Sequence, residues 1–215
     1  MLKYRVIPVT PYQQNCSLVW CDQTLQAAVI DPGGDLDRIH SAIEQAGVTP
    51  VAIWLTHGHL DHVGGTPQLA SELSLPIIGP HKEDDFWLAS VPDQAKMMGF
   101  PTVVPFQPTR WLDDGDTLTL GELTFQVIHC PGHTPGHVVL FEPQSKLAFV
   151  GDVLFAGSIG RTDFPRGNYD DLVHSIRGKL WPLGEEVQFV PGHGPMSTFG
   201  QEKRSNPFVA DKNFG

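Results

Sequence analysis

The sequence predicts an α/β (α+β) chain of two packed sheets with helices on the outside, and three observations lead there. Ten short strand-like runs recur along it, tight turns join the middle ones into hairpins, and helical stretches alternate with strands near both ends. Hairpins in the middle with strand–helix alternation at the ends favour two mixed layers over a single parallel sheet.

The strand-like runs are "YRVIPV", "SLVW", "AAVID", "VAIWLT", "PIIG", "DTLTL", "LTFQVIH", "VVLFE", "LAFVGD" and "VQFVPG". Gly121 and Glu122 separate two of them as a hairpin turn, and "EPQSK" separates another two. Helical spacing of apolar residues marks 35–45, with Asp35 as its N-cap, then 66–73, a looser stretch over 82–98, and 169–180. "GQEKRSNPF" reads as a short final helix. No repeat, charge block or low-complexity linker interrupts the chain. One domain over 1–215 is expected, with the final few residues as a loose tail.

Composition narrows the function classes. With 215 residues and 40% hydrophobic content, the chain is long enough to bury a substantial core. Fourteen Lys and Arg against 24 Asp and Glu give a net charge of −10, which argues against a nucleic-acid partner. No segment is apolar and long enough to span a bilayer, and the opening residues lack the apolar core of a signal peptide. Three isolated cysteines, Cys16, Cys21 and Cys130, form no CxxC pair and suit a reducing compartment. A cytoplasmic protein without membrane contact is expected, with a monomer as the working assembly.

The chemistry concentrates in "THGHLDH", which follows the apolar run "VAIWL" directly. Three further strand-like runs also end in a loop with a metal-competent side chain: "LTFQVIHCPG" before His133, "LAFVG" before Asp152 and "VQFVPG" before His193. Rigid strands that deliver donors to loops are how a site is held in place. His57 and His59 sit two apart, so on extended backbone they project to one side. Asp61 and His62 are adjacent, so a turn after His59 must carry them to a second position, with Gly58, Gly64 and Gly65 freeing the backbone. Seven donors exceed one tetrahedral ion but suit two ions that share a carboxylate. His57, His59 and His133 are assigned to one, Asp61, His62 and His193 to the other, and Asp152 bridges. All seven offer nitrogen or oxygen, which favours zinc, with iron or manganese as alternatives. His40, His81 and His174 stand apart and are read as ordinary solvated or packed histidines.

"THGHLDH" followed by "PGHTPGH", "GDVLF" and "PGHGP" resembles the metallo-β-lactamase superfamily over nearly the whole chain. The resemblance implies an αββα sandwich of two mixed sheets flanked by helices, with the site along one edge and the ligand roles just assigned. It also gives Asp31, in "VIDPGG", the role of bracing the histidine loop, and His137 that of orienting a ligand or packing behind it.

Within the superfamily, "FAGSIGRTDFPRG" is similar to the glyoxalase II group, in short bacterial form without the C-terminal helical domain. That implies a hydroxyacylglutathione hydrolase: a metal-bridging hydroxide attacks S-D-lactoylglutathione and releases D-lactate and glutathione. Asp61 serves as ligand and possible proton acceptor, and Arg161 stands where longer members use a lysine to hold the glutathione carboxylate. "GRTDF" is also similar to the persulfide dioxygenases. Those enzymes hold a single iron on two histidines and an aspartate, corresponding to His57, His133 and Asp152. The presence of Asp61, His62 and His193 tips the expectation toward hydrolysis. A lactonase or β-lactamase of the same fold is the further alternative. A metal-binding scaffold without turnover is the non-enzymatic one.

Overall fold

The computed structural model describes residues 1–214. Its first sheet runs in the order β1 (Leu2–Val9), β2 (Gln14–Cys21), β3 (Gln26–Ile30), β4 (Thr49–Trp54) and β5 (Ile77–Ile78). The first three strands are antiparallel, whereas β3, β4 and β5 are parallel. The parallel crossovers are made by α1 (Leu36–Ala46) after β3 and, after β4, by α2 (Leu60–Val63) and α3 (Thr66–Leu73). Helices α4 (Asp85–Ala89) and α5 (Val91–Met98) follow β5.

The second sheet is built from β6 (Thr117–Leu120), β7 (Leu123–His129), β8 (Val138–Glu142) and β9 (Leu147–Gly151). A small hairpin, β10 (Leu154–Phe155) with β11 (Ser158–Ile159), and helix α6 (Tyr169–His174) come next in the chain. The sheet is then completed by β12 (Gln188–Pro191) and β13 (Ser197–Thr198), in the order β13-β12-β9-β8-β7-β6, and α7 (Phe199–Ser205) follows. Among the described strands of this second sheet only β9 and β12 pair in parallel, so both sheets are mixed.

Three apolar clusters explain the layering. Val19, Ala28 and Trp54 of the first sheet meet Leu118, Phe125, Leu140 and Phe149 of the second. Val29, Ile53 and Leu55 face outward onto Ile39, Leu69 and Leu88 of the first helical layer. Val139, Phe141 and Phe189 face outward onto Leu172, Ile176 and Phe199 of the second. Strands covered on both faces must be apolar at consecutive positions, which is why "VAIWL" and "VVLFE" read as unbroken runs rather than alternations. The result is the four-layer αββα sandwich that the resemblance implied.

Every strand-like run forms a strand, and the Gly121–Glu122 turn joins β6 to β7 through the Leu120–Leu123 pair. Local details differ from expectation. Asp35 does not cap α1. Its backbone is left-handed (φ 49°), and its carboxylate instead accepts from the Thr10 amide at 2.8 Å. The 82–98 stretch breaks into a 3₁₀ turn and two short helices, and 169–180 finishes as a π-type turn over Ser175–Leu180. The final residues, expected to trail as a loose tail, form a 3₁₀ turn over Asp211–Asn213, and Arg177 lies 4.0 Å over the Phe214 ring. Gly215 lies outside the described residues. Among those described, no helix is long and apolar enough to cross a membrane.

Candidate metal centre

Four loops at one edge of the sandwich carry the seven expected donors. Beyond β4 the chain bends at Thr56, and His59 is extended backbone (φ −73°, ψ 144°), with His57 and His59 both bringing a nitrogen into one group with His133. Helix α2 then begins at Leu60 and puts Asp61 and His62 in its only turn. His133 lies between β7 and β8, Asp152 immediately follows β9, and His193 follows β12.

The donors fall into the two expected groups. One ligating atom from each of His57, His59 and His133 lies within 4.8 Å of the others, and the same holds for Asp61, His62 and His193. Asp152 stands between them, with Oδ1 3.2 Å from His62 Nε2 and Oδ2 3.5 Å from His133 Nε2 and 3.7 Å from His193 Nε2. Asp61 Oδ2 lies 3.1 Å from His193 Nε2. Asp31, His57 and His62 are equally close, but the Asp31 carboxylate is already engaged by Thr56 and by the outer nitrogen of His62.

The side of each ring facing away from the cluster fixes which nitrogen faces in. His62 Nδ1 is held by Asp31 Oδ2 at 2.8 Å, His133 Nδ1 by the Arg161 carbonyl at 2.7 Å and His193 Nδ1 by the Tyr12 carbonyl at 3.1 Å. Those oxygens only accept, so in the neutral ring each Nδ1 donates and each Nε2 keeps a lone pair, and an ion bound there would displace the proton that His62 and His193 otherwise favour. Thr56 Oγ1 donates to Asp31 Oδ2 at 2.6 Å, which leaves its own lone pair for His57 Nδ1 at 3.0 Å. His59 is turned the other way, with Nδ1 3.0 Å from His133 Nε2. Five nitrogen lone pairs and two carboxylates thus converge. His57 Nε2, His62 Nε2 and Asp152 Oδ1 are buried there without an aligned hydrogen bond. Unpaired buried donors and acceptors are costly, and a divalent cation is the group that satisfies such a set.

Burial and charge act differently across the cluster. Burial holds the His57 and His133 rings below the usual imidazole range and takes His59 down to about 3, so all three are neutral at pH 7. Burial also opposes charge on His62 and His193, but Asp152 and Asp61 outweigh it and raise both. Burial would raise Asp61 and Asp152, yet facing His62 and the neighbouring histidines lower both, so the carboxylates are ionised.

The two residues expected to brace the site lie directly behind it. Asp31 accepts from the Thr56 amide at 2.8 Å and from its hydroxyl, besides His62. His137 Nε2 accepts from the Asp152 amide at 3.0 Å, and its ring stacks on His57 with centroids 4.5 Å apart. Gly58, Gly64 and Gly65 do not supply unusual backbone angles, since none has positive φ. They supply room: a Cβ on Gly58 would lie 2.6 Å from the Trp87 side chain, and one on Gly64 2.7 Å from the Gly33 carbonyl.

Asp84 has a bracing role that the sequence did not reveal. Its fully buried carboxylate accepts from the Gly58 amide (2.8 Å), the Thr134 hydroxyl (2.8 Å) and the Gly136 amide (2.6 Å), tying the His57–His59 loop to the His133 loop. Burial pushes it up to about 6. In "HKEDDF" it looked like one more acidic residue on a solvated helix, and only the Pro-bounded break in the 82–98 pattern hinted otherwise.

A cleft of about 1070 Å³ opens onto the donors. Arg161 stands at its rim, with its guanidinium paired to both carboxylate oxygens of Asp163 (2.9 and 2.8 Å) and 4.6 Å over the Phe164 ring. His40 pairs with Glu72 at 2.7 Å, His81 stacks on His129, and His174 ends α6, all away from the cluster.

Comparisons with known proteins agree with this geometry. A family model described as the metallo-beta-lactamase superfamily matches residues 9–193, a span that includes all seven donors. Hydroxyacylglutathione hydrolase GloC of Haemophilus influenzae is 48% identical over 213 residues, covering 99% of this chain and 100% of that protein. The crystal structure of BLEG-1 B3 metallo-beta-lactamase superposes with a TM-score of 0.88 at 36% identity, over 96% of this chain and 99% of the other. TTHA1623 in a di-iron-bound form superposes with a TM-score of 0.87 at 36% identity, over 95% and 100%.

Proposed function

The chain belongs to the metallo-β-lactamase superfamily and is a metal-using hydrolase, and from that premise we propose that it hydrolyses glutathione thioesters, with S-D-lactoylglutathione going to D-lactate and glutathione. The observation that carries this reading is the pair of three-residue groups joined by Asp152. In this reading His57, His59 and His133 would hold one divalent ion and Asp61, His62 and His193 the other, with the Asp152 carboxylate facing both groups. Donors that are all nitrogen and oxygen favour zinc, and the di-iron form of TTHA1623 makes iron the alternative. When bound, such ions would bring the pKa of a coordinated water down to about 7 and polarise a carbonyl.

The chain's own residues supply the rest. Neutral His57, His59 and His133 would offset none of the charge of an ion they hold, so that edge of an acidic protein would be cationic toward a carbonyl oxygen and an anionic conjugate. Asp61, ionised beside His193, orients the attacking water and takes its proton transiently. Oxygen adds to the acyl carbon, the carbon–sulfur bond breaks, and the electron pair leaves on sulfur. A thiol pKa of about 8.5 lets that thiolate depart without a strong acid. Water's two hydrogens end on the thiol and, at neutral pH, in solvent. Arg161 would receive the glutathione carboxylate by exchanging its partner Asp163. Cys16, Cys21 and Cys130 are free and buried, in keeping with a cytoplasmic enzyme.

The test is thiol release from S-D-lactoylglutathione by metal-loaded protein, with His59→Ala as reference and metal counted per chain. Turnover with two ions per chain is expected. One iron per chain, with oxygen consumed on glutathione persulfide and no thioester cleavage, would overturn the reading in favour of a persulfide dioxygenase. Faster turnover of a β-lactam or a lactone would move it elsewhere in the superfamily.

A further inference from the structure

The wall of the cleft beside the donors has a chemistry that a lactoyl group does not use. Phe86, Trp87, Met97 and Met98 come from α4 and α5, with Tyr12 and Phe164 nearby. Trp87 and Phe164 both present themselves to the His59 ring, at 4.5 and 4.8 Å between centroids. Met97 is 87% exposed and Tyr12 48%, so the wall continues outward as apolar surface, the usual mark of a binding face.

Two polar side chains on this wall already have partners. Ser90 Oγ and Gln94 Nε2 both donate to the Trp87 carbonyl at 2.9 Å, and Gln94 Oε1 accepts from the Leu60 amide at 2.9 Å. Trp87 Nε1 is buried and unpaired. The charged groups around the wall are Asp93, which would repel a carboxylate, Arg161, which pairs with Asp163, and Arg166, whose guanidinium lies 4.3 Å over the Phe86 ring. A hydroxyl laid against Trp87, Met97 and Met98 loses water without gaining a partner. The partners for the glutathione carboxylates are the guanidiniums at the edges, Arg161 over Phe164 and Arg166 over Phe86, so the half of the thioester that covers the wall between them is the acyl half.

We infer that the enzyme takes thioesters with a bulky apolar acyl group, a medium alkyl chain or an aryl ring, seated on Phe86, Trp87, Met97 and Met98. This rests on the thioester reading above and departs from it in the acyl group alone, setting a bulky apolar acyl ahead of lactoyl. Met97 and Met98 suit the task because unbranched thioethers adapt to acyl chains of different shape.

The experiment holds the thiol constant and varies the acyl group, using the full metal-loaded chain. S-hexanoylglutathione and S-phenylacetylglutathione are expected to exceed S-D-lactoylglutathione at least tenfold in kcat/KM, chiefly through KM. Substituting Met97→Ser together with Met98→Ser, at exposed positions, is expected to lower the hexanoyl-to-lactoyl ratio several-fold. Equal or better turnover of the lactoyl ester overturns the inference and leaves thioester hydrolysis standing.

Binding supplies the readout that does not depend on turnover. Across the thioethers S-methyl to S-hexylglutathione, each methylene is expected to tighten Kd about threefold, followed by calorimetry. A flat series overturns the apolar seat. A steep series with no thioester cleaved keeps the seat and overturns the hydrolysis.

Discussion

The two donor groups lie side by side yet are built on opposite principles. His57, His59 and His133 are 0, 8 and 3% exposed and are kept neutral by burial. In the other group the His193 side chain is 29% exposed and Asp61 14%, and both His62 and His193 favour the charged form because Asp61 and Asp152 face them. Three neutral, dry rings compensate little of a cation's charge, whereas a carboxylate in a wetter setting compensates more and admits water. On the proposed reading, the difference would separate a site that polarises a carbonyl from one that exchanges water. It also shows why Asp152, touching both, is the element on which the pair depends.

The largest effect should come from removing that shared element. Asp152→Ala is expected to abolish turnover, by about a thousandfold or more, and to leave fewer than two ions per chain. Metal analysis alongside kinetics checks it, and a variant that keeps two ions and a tenth of its activity would break the comparison. Next comes the asymmetry itself. His193→Ala should lose one ion and retain the other through dialysis, whereas His133→Ala should weaken the deeper one. Dilute chelator on the native protein should likewise withdraw the ions in two separated phases. A single phase would mean that the exposure difference has no consequence for binding.

Behind the rings the effects should be smaller. Thr56→Val removes the hydroxyl that relays between Asp31 and His57, while nearly preserving shape. An expected loss of about 10- to 100-fold in metal affinity follows from freeing the His57 tautomer. A loss confined to turnover, with affinity intact, would place Thr56 elsewhere in the reaction.

How much of this could be read from sequence depends on the range of the interaction. Two packed sheets with outer helices were legible because hairpins in the middle and strand–helix alternation at the ends are local patterns. The αββα order came with the resemblance, while the unbroken apolar runs "VAIWL" and "VVLFE" are explained by the layers that cover both faces. The seven donors were legible because each follows such a run. The bracing of the loops was not, since Asp84 reaches Gly58 and Gly136 across 26 and 52 residues, a pairing no local pattern encodes. The glycines of "HGHLDHVGG" were read as flexibility when they serve close approach, because a missing Cβ leaves the same trace in sequence for either purpose. Asp35 failed as a cap for a related reason, its carboxylate being claimed by Thr10 from another strand end.

Asp84 offers the smallest and sharpest test, because it lies behind the buried group and titrates apart from it. Burial raises its carboxyl from an ordinary 3.8 to about 6 in the fold. A folded-state pKa above the unfolded one means that the native protein binds the proton more tightly. The resulting stability is fully present below 3.8 and is lost as pH rises through about 6. The size at stake is on the order of 3 kcal/mol. Asp84→Asn cannot titrate, and its amide would also point a donor at Gly58 or Gly136, both of which already donate. Urea unfolding of the metal-free protein, native against Asp84→Asn, cancels the histidines common to both. The native advantage should shrink between pH 4 and pH 6 and then stay level to pH 7.5. A difference that grows with pH over that window would mean that the three donated hydrogen bonds outweigh burial. Asp84 would then be an ionised anchor for the deep group, and burial would no longer be what distinguishes that side of the site.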